Sequence, residues 1–212
     1  NEIIVRLPKH ISVTDKEKTL KQFLVWARNK IAEKKYYQEH QHTVEYYQGR
    51  MLKIYGKEFR TEIEFIATGK NKLSYRGDNT LKIYLLENQP HKKQILEIQR
   101  FLLRFTEKYF LPELQKRTLY WNDIYFKERI EKVDVKHTIS RWGSCSSSRK
   151  ISFATKLLLL PQIIIDYVII HELAHLKEMN HSPKFWKHVE NVMPDYKTHR
   201  KWLQQNGSKI HF

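Results

Sequence analysis

Apolar residues return along this chain with two different periods, and the switches between them outline its elements. Behind Thr14-Asp15-Lys16-Glu17, which reads as a capping box, Leu20, Phe23, Leu24, Ala27 and Ile31 recur at helical spacing. Leu52 and Ile54, Ile63 and Phe65, and Leu81, Ile83 and Leu85 then alternate as half-buried strands do. Turn residues at Gly56, Gly69 and Gly77-Asp78-Asn79 separate them, which predicts an antiparallel sheet. A long helix follows, with Ile95, Ile98, Leu102, Phe105 and Tyr109 on one stripe and a stop expected near Leu111-Pro112. Val133, Val135, His137 and Ile139 alternate again, and Ile151-Ser152-Phe153 is the expected partner strand across a Ser-rich hairpin. From Pro161 onward the pattern is helical. The fold class is α+β, an antiparallel sheet with long helices and a C-terminal helix–turn–helix. Its expected parts are a basic α+β segment, 1–125, and a second segment, 126–212, which can also pack as one unit.

The last helical stretch carries the chemistry. His171-Glu172-Leu173-Ala174-His175 is an H-E-x-x-H pattern led in by Asp166-Tyr167-Val168-Ile169-Ile170. Four residues apart on a helix, the two imidazoles project from one face and can share one Zn²⁺ at about 2.0–2.1 Å each. Glu172 lies beside them, placed to act on water rather than to bind the metal. A third ligand has two candidates. His181 follows His175 by six residues, too far along one continuous helix to reach the same ion. The chain must therefore break near Glu178–Asn180, with Asn180 the expected left-handed residue. Ser182-Pro183 then restarts a helix through Phe185, Trp186 and Val189. Cys145, the single cysteine, is the other candidate.

Around Cys145, the segment Arg141–Ser148 reads as a hairpin whose edge can take an extended peptide as an added strand. Arg141 is placed to pair with a substrate carboxylate, and Gly143 to let a ligand backbone approach. Trp142 lines the same edge or plugs the core. Tyr196, in the final segment, is a candidate to stabilise an oxyanion, with simple packing as its alternative.

Arg141-Trp142-Gly143-Ser144-Cys145, His171 to His175, Asn180-His181-Ser182-Pro183-Lys184-Phe185-Trp186, Pro194-Asp195-Tyr196 and Trp202-Leu203 together resemble the YgjP-like metallopeptidase family. That family is similar to the SprT-like and other zincin proteases. The strong resemblance covers about residues 133–203. It implies a zincin-like fold and a Zn²⁺-dependent hydrolase with ligands His171, His175 and His181 and a catalytic Glu172. Some zincins carry a Gly between the second and third ligands; Glu178 fills that slot here. The expected function is hydrolysis of peptide bonds by metal-activated water, with Glu172 as general base. The alternatives are a deformylase-type amidase of small substrates with Cys145 as ligand, or a nucleic-acid-associated protein whose metal is structural.

Composition narrows the setting. With 212 residues, 41% of them hydrophobic, the chain can bury a real core. No stretch reaches 18 uncharged apolar residues, since Asp166 interrupts the longest, 163–170, so no membrane partner is expected. One cysteine excludes an intrachain disulfide framework, and no basic-then-apolar leader is visible, which points to a cytoplasmic protein. The net charge of +16 is uneven: residues 161–212 hold 7 Lys/Arg against 5 Asp/Glu, +2, which leaves +14 to residues 1–160. Besides a peptide or protein substrate, a nucleic acid is a candidate partner of the N-terminal part, through charge and through Lys34-Lys35-Tyr36-Tyr37 and Tyr46-Tyr47, with a solvated surface of scattered lysines and aromatic core edges as the alternative.

Overall fold

The computed structural model describes residues 12, 15–17, 19–25, 27–28, 46, 48–138 and 140–210, and the chain divides into two compact units, 1–44 and 45–212. In the first unit a helix runs through the described residues from Asp15 to Arg28. Ser12 caps it: its hydroxyl accepts the Asp15 N–H at 3.1 Å and donates to the Asp15 carboxylate at 2.6 Å. The capping box expected at Thr14–Glu17 begins on a residue outside the described ones. Thr14, Ile31, residues 34–37, Tyr47 and Ile139 lie outside the described residues. The second unit contains the expected 125/126 division within it.

That unit opens with β1 (Met51–Ile54) and β2 (Lys57–Ile66), joined by the two-residue turn Tyr55-Gly56. Both turn residues have positive φ, 50° and 77°, as the primed hairpin turns require. Tyr55 is held there by its N–H, which donates to the Leu158 carbonyl at 2.6 Å. β3 (Lys72–Tyr75) and β4 (Thr80–Leu86) complete a sheet of order β1-β2-β4-β3. The sheet is mixed, not antiparallel: β4 lies parallel to β2, with Ile63 opposite Ile83, and antiparallel to β3. Leu81, Ile83 and Leu85 are all fully buried, so β4 takes the middle of the sheet and β3 becomes an edge.

Helix α1 (His91–Trp121) crosses this sheet, where Phe105 and Phe110 meet Phe59 at 5.3 and 5.9 Å. It runs through Pro112 rather than stopping there. The hydrogen bond that proline removes belongs to the carbonyl of Lys108, and Lys108 and Pro112 both face solvent, where water replaces the donor. Buried Phe110, Leu114 and Thr118 hold the second half of the helix in place. A π-helical turn, Asn122–Phe126, ends it.

A second sheet of order β5-β7-β6 follows, from β5 (Lys132–Lys136), β6 (Gly143–Cys145) and β7 (Lys150–Ala154). β5 pairs with β7, so Ile151 and Phe153 lie opposite Val133 and Val135 as expected, but the pairing is parallel and the Ser-rich hairpin joins β6, not β5, to β7. Helix α2 (Gln162–Ala174) is buried on nearly every side and packs against α1, β6, α3 (Pro183–Val192) and α4 (Tyr196–Asn206). Its one buried acid before Glu172 is Asp166. The Arg117 guanidinium on α1 grips it with two bonds, 2.8 and 2.6 Å, and Trp121 and Gln162 donate to it at 3.2 and 3.3 Å. Arg117→Ala leaves that carboxylate buried with half its donors, and a loss of about 2–3 kcal/mol is expected, the low end for a broken buried pair because Arg117 is partly exposed. Urea unfolding checks it. Among the described residues, no helix is long and apolar enough to cross a membrane.

Candidate metal centre

The last turn of α2 delivers His171 and Glu172, and His175 is the residue that caps its end. The helix stops there because Leu176, Lys177 and Glu178 fold back, their N–H groups donating to the carbonyls of Leu173 and Ala174. This break comes earlier than expected, and Asn180 is not left-handed. Its work is different: Asn180 Oδ1 accepts the Ser182 N–H at 3.0 Å, closing a turn that presents His181. Ser182 then accepts the Phe185 N–H at 3.3 Å with Pro183 in the first turn, so α3 restarts as its cap predicts.

His171, His175 and His181 converge, with one ring nitrogen of each within 4.8 Å of the others. His171 Nε2 and His181 Nε2 stand 3.1 Å apart. Two nitrogens bound at 2.0–2.1 Å to one tetrahedral ion lie about 3.3–3.4 Å apart, so the pair is spaced to share a cation. His175 Nδ1 lies 3.1 Å from the Glu178 carbonyl. A carbonyl only accepts, so the proton sits on Nδ1 and Nε2 is left as the metal-facing lone pair. Burial, then the neighbouring imidazoles and Arg200, pull His171 down to about 3, and burial also lowers His175. Both rings are therefore neutral at physiological pH, the form a metal ligand needs. The donor set, three imidazoles at this spacing, fits Zn²⁺.

Phe185, fully buried on α3, sits behind all three rings, 4.9 Å from His171, 4.5 Å from His175 and 4.7 Å from His181. It fixes their tilt through packing rather than hydrogen bonds. The sequence marks Phe185 as an apolar helix position four residues after His181, but nothing in the periodicity marks it as a shared support for the cluster.

Glu172 is buried beside this cluster, at 5% exposure. Burial pushes its carboxyl up to about 8, and the charge of Arg141 pulls it partly back. A cation held by the neighbouring imidazoles favours the ionised form. Gly143 on β6 explains how the carboxylate fits. A Cβ there would stand 2.5 Å from Glu172 Oε1, 2.7 Å from Cγ and 2.8 Å from Cδ. The space a side chain would take at 143 is filled from within the protein by Glu172.

The other sequence candidates fall around this centre. Arg141 is exposed, and Trp142 is partly buried, its ring lying under Lys156 Nζ at 4.3 Å and against Gly207. Tyr196 is buried and stacks on Trp186 at 5.2 Å. Cys145 stands outside the three-imidazole group, and burial together with the charge of Glu172 pushes its thiol up to about 11. Tyr46 packs against the core, with Arg50 over its ring at 5.0 Å.

A family profile described as "YgjP-like, metallopeptidase domain" matches residues 1–206. The chain belongs to the YgjP-like metallopeptidase family. The three-histidine centre thus falls within the span of a YgjP-like domain. Among curated proteins none matches. Two solved structures are similar over part of this YgjP-like chain. The metallopeptidase zymogen abylysin of Pyrococcus abyssi is 28% identical and covers 43% of this chain and 93% of its own, with a TM-score of 0.40. The metallopeptidase zymogen jannalysin of Methanocaldococcus jannaschii is 18% identical and covers 44% and 95%, with a TM-score of 0.39.

Proposed function

We propose that this protein is a zinc-dependent peptidase that cleaves peptide bonds with Glu172 as general base. The observation that carries the reading is the convergence of His171, His175 and His181 with a buried carboxylate next to them. The three imidazoles would hold the ion and keep it net positive, since none carries a charge of its own. Bound there, zinc supplies Lewis acidity toward a carbonyl oxygen and lowers the pKa of water toward about 7. Glu172 takes the proton of the attacking water at its carboxylate and later delivers it to the leaving amine. Gly143 keeps that carboxylate in place, and Phe185 holds the ligand rings. β6 is an edge strand packed against α2, so a peptide pairing with Gly143–Cys145 would run past the centre. Tyr196, behind Trp186, would steady the His181 wall.

The test is hydrolysis of an unfolded-protein substrate before and after chelation. Activity is expected to vanish with the metal and to return on adding stoichiometric Zn²⁺. Hydrolysis that persists in thoroughly chelated protein would contradict the reading.

A further inference from the structure

The proposed chemistry uses three imidazoles and Glu172, and gives no role to Arg200, an exposed cation beside them. Arg200 lies on α4 one turn after Tyr196, so the two side chains project from the same side of the helix. Its guanidinium carbon sits 4.7 Å from the centre of the Trp186 ring. That ring stacks on His181 at 5.7 Å and 27°, stacks on Tyr196 at 5.2 Å and 14°, and stands 5.7 Å from the His171 ring. One aromatic ring therefore separates a fixed positive charge from two of the three ligands.

No acid among the described residues claims this charge. Arg200 is exposed and makes no ion pair among the described residues, and α4 carries no Asp or Glu. On the neighbouring segments, Asp195 turns to His199 at 3.0 Å, and Glu190 lies 3.5 Å from Lys187. Arg141, the other exposed arginine near Glu172, is likewise without an ion pair among the described residues. A guanidinium seated on an aromatic face loses little hydration and keeps its in-plane N–H fork for a carboxylate, which it takes in two parallel hydrogen bonds. A metal centre flanked by such cations also draws anionic substrates toward it.

We propose that Arg200 is a specificity residue that binds a substrate carboxylate next to the scissile bond, so that acidic peptides are the preferred substrates. This rests on the peptidase reading of the site. The carboxylate comes from one of two sources with the same chemistry, an Asp or Glu side chain or a free C-terminus.

The experiment uses zinc-loaded full-length protein and matched fluorogenic peptides. One arm compares Glu with Gln at each position flanking the scissile bond, and the other compares a free with an amidated C-terminus. One member of a pair is expected to be cleaved about ten- to a hundredfold better, the range for a hydrogen bond to a charged group, and the arm in which this happens identifies the source. Arg200→Gln should bring that ratio close to one, whereas Lys201→Gln, which removes an exposed cation from the same helix, should keep it. A ratio near one in the unaltered protein, a ratio that survives Arg200→Gln, or one that Lys201→Gln abolishes equally would overturn the assignment. The same peptides are titrated calorimetrically into zinc-loaded Glu172→Gln protein with Arg200 present and replaced. If no peptide is cleaved, the peptidase reading fails, and this titration still decides the role of Arg200. A carboxylate preference that needs Arg200 supports it, and equal binding of both members overturns it.

Discussion

Glu172→Gln is expected to retain its fold and its zinc and to lose about 10²–10⁴-fold of peptide hydrolysis, the range for removing a general base. The amide is nearly the same size as the carboxylate, so the tight fit against Gly143 is preserved. It removes a buried group that burial pushes toward protonation, so the fold should not suffer. The ligand nitrogens belong to other residues, and the amide cannot accept the proton of water. Turnover of an unfolded-protein substrate, measured beside metal content, checks this. A variant that loses zinc along with activity would make Glu172 a ligand and remove the base from the mechanism.

Gly143→Ala is expected to cost about 10²-fold in kcat with zinc content unchanged, the penalty for shifting a catalytic group by about 1 Å. The backbone at 143 is not in the left-handed region, so alanine is not resisted by the main chain. Its methyl group would instead occupy the place of Glu172 Oε1, and the buried carboxylate must swing aside. The decisive comparison is the double variant with Glu172→Gln. If Gly143 works through Glu172, adding the alanine to the glutamine variant should cause little further loss. A full additional hundredfold loss would show that residue 143 meets the substrate directly.

His171, Glu172 and His175 were legible because a helix turns spacing into geometry: four residues always make one turn. His181 was legible for a different reason. Ser182-Pro183 announces a new helix start, so the chain between two helices has to turn, and Ser182 caps α3 as that pattern predicts. Within that turn the roles came out differently. Asn180 works through its side-chain oxygen, and the helix ends sooner at His175, because backbone conformation at one residue is not encoded by its type alone.

Strand positions such as Leu81, Ile83 and Leu85 were visible as alternation, but alternation is blind to direction. The parallel pairing of β2 with β4, and of β5 with β7, depends on which strand enters the middle of each sheet. Pro112 does not stop its helix, because a proline does so only where the lost bond cannot be replaced, and here it faces solvent. Gly143 and Phe185 owe their importance to contacts with residues of other elements. No local pattern predicts that a glycine on a short strand makes room for a glutamate 29 positions later.

The central claim is that three imidazoles hold one metal ion, and elemental analysis of the purified full-length chain tests it most directly. The unaltered protein is expected to carry about one Zn²⁺, His181→Ala to bind it at least about tenfold more weakly, and Cys145→Ser to bind it almost as tightly as before. Zinc that survives His181→Ala intact but is lost with Cys145→Ser would contradict the three-histidine centre and make the thiol the third ligand.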